Sequence, residues 1–342
     1  MDTKKSLLSV LLLTACISGC SSINPQDAVA LANNGQTVAN ATSLSYQESR
    51  DGLNRYLESE AISTAFTERS DVGDETITAM LEISETLAAR KAVFNKLSAT
   101  YKTFGELASY DAAKEVENQI NGLSGAINEY AKATKSAGNP ISNVTNLIVS
   151  KGGGLIASEA QKNQMKEASA LIRIRLAALS PLLEKDIERL KRYKSREVTA
   201  RTRATVALIS EGLGDPSKMI SNHLSTVGLS SEKDGVSYWS NEVRKAYITT
   251  LIKHRSNTKN PKPNLPPIYE AMQSYISVRI KTEIETQHAI LEETKNAIDN
   301  LASMHTEFES GTPLSTSSLT QSIVLLQQLL IEFKAAKQQD EA

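Results

Sequence analysis

"MLEISETLAARKAVFNKLSATYKTFGELA", residues 80–108, is the stretch that decides the fold. Met80, Ile83, Leu87, Phe94, Leu97, Tyr101, Phe104 and Ala108 recur at steps of three and four, and Arg90 stands in the one place where the rhythm asks for an apolar residue. Alternating apolar and polar residues would read as a strand; a three-four rhythm reads as a helix with a coiled-coil seam. Downstream, Ala112, Val116 and Ile120 follow at steps of four before the rhythm returns with Leu123, Ile127 and Tyr130. A stutter of this kind unwinds a coiled coil locally without ending its helix. The pattern therefore predicts one helix over 74–137, about 95 Å long at 1.5 Å per residue.

The remaining segments repeat the theme. Ser158 with Gln161 makes a capping-box pattern, opening a helix through Met165, Ile172, Leu176, Leu179, Leu183, Ile187 and Leu190 to Leu213, kinked near Pro181. Further helices are expected over 239–256, over 268–309 with Ile284, Leu291, Ile298, Leu301 and Phe308 on one side, and over 317–338 with Leu319, Ile323, Leu326, Leu330 and Phe333. Three stops share one device: Gly138-Asn139-Pro140, Gly214-Asp215-Pro216 and Gly311-Thr312-Pro313. Glycine takes the left-handed cap conformation and the proline cannot extend the helix. Asn260 to Pro267 reads as a stiff extended connector. No alternating strand longer than a few residues and no solenoid-period repeat is found. The expected fold is all-α, an elongated antiparallel helical bundle with long coiled-coil-like helices.

The front of the chain reads differently. Lys4 and Lys5 precede an apolar run from Leu7 to Ala15, the layout of a secretory signal. That run is shorter than the ~20 residues that span a bilayer. Ile17-Ser18-Gly19-Cys20 resembles the lipobox of bacterial lipoproteins: an aliphatic residue, two small ones and a cysteine. The resemblance covers only these first twenty or so residues. It implies cleavage before Cys20 and a lipid on that cysteine; Cys16, in Leu13-Thr14-Ala15-Cys16, fits the same pattern and is the second choice. It also implies three acyl chains, where two already anchor stably, and outer-membrane sorting, because Ser21 rather than Asp follows. With the lipid on Cys20, no free thiol remains in the mature chain. The expected organisation is a signal peptide at 1–19, a lipidated tether at 20–45 with one weak helix over 26–41, and a bundle at 46–342.

Charge nearly cancels, 38 basic against 39 acidic side chains, so nothing global points to nucleic acid. Catalytic signals are thin. His223, His254, His288 and His305 are scattered, and no HExxH, Cys-His ligand set, Walker loop or Gly-x-Ser-x-Gly occurs. His305 falls on the apolar stripe of its helix, where a hydrogen-bonded core histidine is expected rather than a ligand. The three glycines at 152–154 precede a helix start but lack the ending of a phosphate loop. No enzyme, cofactor or metal is expected.

Three stretches remain as candidate sites. Between Arg189 and Arg203 there are seven basic residues against Glu197 alone, and Arg189, Arg192, Arg196 and Arg203 share a helix face, a patch for an anionic partner. Lys194 and Arg201 interrupt the apolar stripe, so this part is expected to protrude from the core, or to pair with Glu283, Glu285, Glu292, Glu293 and Asp299 nearby. From Ser136 to Ser158 the only charge is Lys151, and Leu147, Ile148, Leu155 and Ile156 would form a membrane tip, a layout similar to that of helical pore-forming toxins. The run "SIVLLQQLLI", 322–331, reads as an amphipathic helix within the bundle. Two functions follow as expectations. One is a lipid-anchored, non-enzymatic periplasmic scaffold or spacer that docks an envelope protein, with self-association open. The other is a membrane-active protein inserting an uncharged hairpin at 141–157 or the helix at 319–331.

Overall fold

The structure, a computed structural model, describes residues 23–66, 74–109, 112–135, 140–143, 157–210, 245, 249 and 267–341. The fold is all-α. Among the described residues there is no strand, and the long helices are α1 (Pro25–Phe66), α2 (Asp74–Leu107), α3 (Ala113–Ala133), α4 (Ala157–Ser210), α5 (Pro267–Ser310) and α6 (Thr316–Glu341). Cys16, Cys20, Leu147, Ile148, Leu155 and Ile156 lie outside the described residues, as do the stop at Gly214 and nearly all of the helix expected over 239–256.

Residues 25–45 are not a tether. Asn24 accepts a hydrogen bond from the Gln26 N–H at 3.1 Å through Oδ1, Pro25 occupies the first helical position, and the chain enters a 42-residue helix at once. Ala28, Leu31, Val38 and Ala39 are buried in its first half. The segment reads as a tether because it holds few large apolar residues, yet small ones are what bring α1 close to α2. A Cβ on Gly105 would already meet that of Ala32 at 3.0 Å, and one on Gly35 would overlap the ring of Tyr101.

The single helix expected over 74–137 is a hairpin. The last turn of α2 tightens, with Ala108 N–H donating to Gly105 O at 3.2 Å and Ser109 N–H to Glu106 O at 2.9 Å, and α3 starts afresh from Ala112. It returns antiparallel along α2: Thr100 Oγ1 donates to Gln119 O at 3.3 Å, and Arg90 Nε to the Tyr130 hydroxyl at 3.1 Å. The steps of four at Ala112, Val116 and Ile120 are thus the opening turns of a new helix. In the first turn of α4 the Gln161 amide donates at 2.8 Å to the carbonyl of Leu107 and satisfies the end of α2; the side chain of Ser158, its expected capping-box partner, lies outside the described residues. At the end of α3 Lys135 takes the left-handed conformation, φ 53°; Gly138 and Asn139 of the Gly-Asn-Pro stop lie outside the described residues. The third stop behaves as the sequence predicts. Gly311 has φ 69°, its N–H donates to Phe308 O at 3.0 Å, and Thr312 N–H reaches back to Glu307 O at 3.0 Å.

Two compact units are built from these helices. The first comprises α1 up to Leu44, Ala89–Glu184 and Glu292–Gln328; the second comprises Ser45–Ala88, Lys185–Leu291 and α6 from Leu329. In the first, Phe94, Phe104, Ile172, Leu301 and Phe308 form the middle of the core; in the second, Tyr56, Leu87, Leu190, Tyr193 and Phe333 do.

Two glycines test the packing. Gly35→Ala should destabilise by about 2 kcal/mol, the size of an overpacking strain, because the new methyl displaces a buried ring. Gly125→Ala, on the exposed face of α3 with nothing within 4 Å, should stabilise by about 0.5–1 kcal/mol through helix propensity. Urea unfolding of both variants against the parent reads the two signs; the same sign for both would contradict the close approach of α1 to α2.

Candidate functional site

Among the described residues, three groupings of polar side chains bear on function, and one of these three faces water. The first lies inside the first unit, where α2, α4 and α5 meet. Tyr101 Oη is 3.0 Å from His305 Nε2, Ser169 Oγ is 2.8 Å from His305 Nδ1, and all three residues are fully buried. One direction of donation satisfies every atom: the Tyr101 hydroxyl donates to Nε2, Nδ1–H donates to Ser169, and Ser169 donates to Glu309 Oε1 at 3.4 Å. Arg173 holds Glu309 as a fork, Nε to Oε1 and Nη2 to Oε2, both at 3.0 Å. The ring of His305 also stacks on Tyr101, centroids 5.7 Å apart, and leans on Phe104.

Serine, histidine and glutamate within hydrogen-bond reach are the ingredients of a nucleophilic triad, yet this grouping is built as a clasp. Both imidazole nitrogens are spent, and the Ser169 oxygen is sealed from substrate. Burial, and then the charge of Arg173, lowers the His305 pKa from 6.5 to about 3. A catalytic base works with a pKa near the operating pH; this imidazole is held neutral. Ser169 escapes a reading of apolar stripes, and Tyr101 enters it only as a core ring, though a serine on the stripe of α4 facing a helix with a stripe histidine is the signal that pairs them.

A second grouping lies inside the second unit. Lys194 and Glu197 are almost fully buried and 2.7 Å apart, and Arg55 Nη2 approaches Glu197 Oε1 at 3.8 Å. Gly52 makes the room, because a Cβ there would lie 2.8 Å from Glu197 Oε1 and 3.0 Å from Lys194 Nζ. Lys194 therefore does not push this part of α4 out of the core; its ammonium is neutralised inside it, 5.5 Å over the Tyr193 ring. Burial, then the Glu197 charge, drives the Tyr193 hydroxyl pKa upward. Arg201 is paired as well, its Nη1 2.9 Å from Glu283 Oε2, one of the acidic partners expected from α5.

The third grouping is the arginine row, and the structure brings its members together. Lys185, Arg189, Arg192, Arg196 and Arg203 follow heptad steps on α4, and the four arginines fall within an arc of about 60° at 100° per residue. Arg192, Arg196 and Arg203 are exposed, as is Lys185, which the sequence reading passed over. Arg189 is 3.8 Å from Glu82 with 31% of its side chain exposed, a loose surface pair. Arg192 donates through Nε to its own helix, at Glu188 O, 3.3 Å away. Beside the row, burial and the Glu60 carboxylate push the Tyr56 hydroxyl pKa up, while the charges of Arg196 and Arg203 pull it down.

Among the described residues no group of three or more His, Cys, Asp or Glu is placed to hold a metal, and no helix is long and apolar enough to cross a membrane. On α6, Leu319 and Leu326 are buried while Val324, Leu325 and Ile331 are exposed. No protein family, curated protein or solved structure matches the chain.

The buried groupings give two measurable outcomes. Because the folded His305 pKa lies below that of a free imidazole, the unfolded chain binds the proton first. Stability is therefore full above pH 6.5 and falls as the pH drops from 6.5 toward 3. This one group should remove about 2 kcal/mol between pH 6.5 and 4.5. His305→Gln, neutral throughout, should lose that increment, seen as a shallower acid slope in urea titrations at several pH values; equal slopes would refute the assignment. For the ion pair, Glu197→Leu should cost about 3 kcal/mol by stranding Lys194, whereas Lys194→Met with Glu197→Leu should cost far less. Chemical denaturation of single and double variants decides it.

Proposed function

We propose that the chain is a lipoprotein of the outer membrane, tethered through Cys20, whose helices act as a non-enzymatic periplasmic scaffold or spacer and dock another envelope protein. The observation that carries this reading is positional. Ile17-Ser18-Gly19-Cys20 ends five residues before Pro25, the first residue of α1, so only four residues of sequence separate a lipid on Cys20 from the first helix of the fold. The resemblance of these four residues to a lipobox supplies the anchor, and Ser21 after the cysteine supplies the outer-membrane address.

The chemistry of the described side chains supports a scaffold. The serine, histidine, glutamate and arginine groups that could carry a reaction in the first unit are spent on holding α2, α4 and α5 together. What α4 offers to the outside is a row of fixed positive charge, a feature suited to recognition. The partner protein would be met through exposed faces of the long helices.

Mass spectrometry of the protein extracted from membranes tests the anchor. The mature chain should begin at Cys20 and carry acyl chains; Cys20→Ser should move it to the soluble fraction, and Cys16→Ser should leave it anchored. A mature chain that keeps its first nineteen residues, or a Cys20→Ser variant that still sediments with membranes, would overturn the reading. The chain from residue 21 should leave dye-loaded vesicles intact; dye release would favour insertion of 141–157 or 319–331 instead.

A further inference from the structure

We infer that the arginine row of α4 lies on anionic phospholipid headgroups of the bilayer that holds the lipid anchor, so that the second unit contacts the membrane through Lys185, Arg192, Arg196 and Arg203. The inference deepens the lipid-anchored reading and rests on it. Its starting point is a contrast within one helix. Where α4 faces α5 its arginines are matched by carboxylates, Arg173 with Glu309 at 3.0 Å and Arg201 with Glu283 at 2.9 Å. On the outward face, Lys185, Arg192, Arg196 and Arg203 have no carboxylate partner among the described residues, and Arg189 has only Glu82 at 3.8 Å. The neighbouring Glu188 is 3.4 Å from Lys191, so that carboxylate is engaged beside the row rather than within it.

Two properties of the face select the occupant. It lies along one unbroken helix, running about 27 Å from Lys185 to Arg203 at 1.5 Å per residue. It is also without apolar anchors: among the described residues, no large hydrophobic side chain between 185 and 205 is exposed. A docked protein helix needs a desolvated apolar centre beneath its charged pairs, and this stretch of α4 provides none. A plane of phosphates needs only guanidinium forks at regular spacing, which bind phosphate oxygens two at a time. Each basic side chain at an anionic bilayer surface strengthens binding about fivefold, so four give several-hundredfold. That is too weak to anchor a free protein durably, and it suffices to orient one that a lipid already holds at the surface.

The test uses the chain from residue 21, which contains all six described helices and no lipid, so that its outcome does not depend on the anchor. Flotation is measured with vesicles of phosphatidylcholine alone and with 30% phosphatidylglycerol, at 50 mM and 500 mM NaCl. The expected result is binding at least tenfold stronger to the anionic vesicles at low salt, lost at high salt, and lost in Arg192→Glu/Arg196→Glu/Arg203→Glu. These three side chains are exposed, and an unchanged thermal melt confirms that the variant is folded. Equal binding to both vesicles, no binding to either, or a triple variant that floats like the parent would overturn the inference. So would displacement by 20 mM inorganic phosphate at constant ionic strength, which would assign the row to a soluble anion. Failure of the Cys20 experiment with success here would leave a peripheral membrane contact without an anchor; the reverse would leave the anchor without this contact.

Discussion

The backbone of α1 passes so close to the ring of Tyr101 that position 35 has no room for a side chain, and the polar core of the first unit is arranged around that approach. With α1 behind it, the tyrosine is fixed with its hydroxyl on His305 Nε2. The imidazole can then present its other nitrogen to Ser169, and the line of donors ends on a glutamate held by Arg173. Each link leaves the next one with a single sensible proton position, which is how a buried polar network rigidifies a core instead of weakening it. An orphaned member would cost about 1–3 kcal/mol.

The second unit meets the same difficulty with opposite chemistry. Lys194 and Glu197 enter its core as full charges, and a second glycine, Gly52, opens the space for them beneath α1. Such a pair adds little net stability compared with apolar residues of the same shape, but it penalises any packing in which the two are separated. One long helix can present many equivalent apolar faces, and sliding it by a turn costs little hydrophobic burial. Polar contacts placed within the stripes remove that freedom. Arg90, buried in the seam of α2 with its Nε on Tyr130, does the same for the α2–α3 hairpin.

Much of the architecture was legible because large apolar side chains mark helix faces plainly. The end of α5 and the start of α6 follow the stripes from Ile284 to Phe308 and from Leu319 to Phe333, and the Gly311 stop is visible as a glycine two places before a proline. Three things were hidden. The buried front half of α1 reads as a tether because close packing through Ala28, Ala32, Gly35 and Ala39 produces no strong apolar signal. The α2–α3 turn looked like a stutter, since a restart in step with the old seam leaves the same spacing of alanine, valine and isoleucine. Lys194 looked like an interruption of the core because one chain's periodicity does not show that Gly52 of another helix has left a hole for it. Of the candidate sites, the row of arginines is legible as a helix face; its lack of carboxylate partners is a property of three dimensions.

The clasp at His305 also sets an order of assembly. The α2–α3 and α5–α6 hairpins join residues close in sequence and can form early at little cost in loop-closure entropy. Tyr101 and His305 are separated by 204 positions, and Ser169 and His305 by 136. Until α5 arrives, the hydroxyls of Tyr101 and Ser169 have water in place of imidazole, so the first three-quarters of the chain holds an unfinished interior whose polar atoms stay wet. A chain truncated before residue 305 is therefore not a smaller version of the fold. It is a partly folded species with a hydrated seam, the kind of exposed interior that proteases recognise.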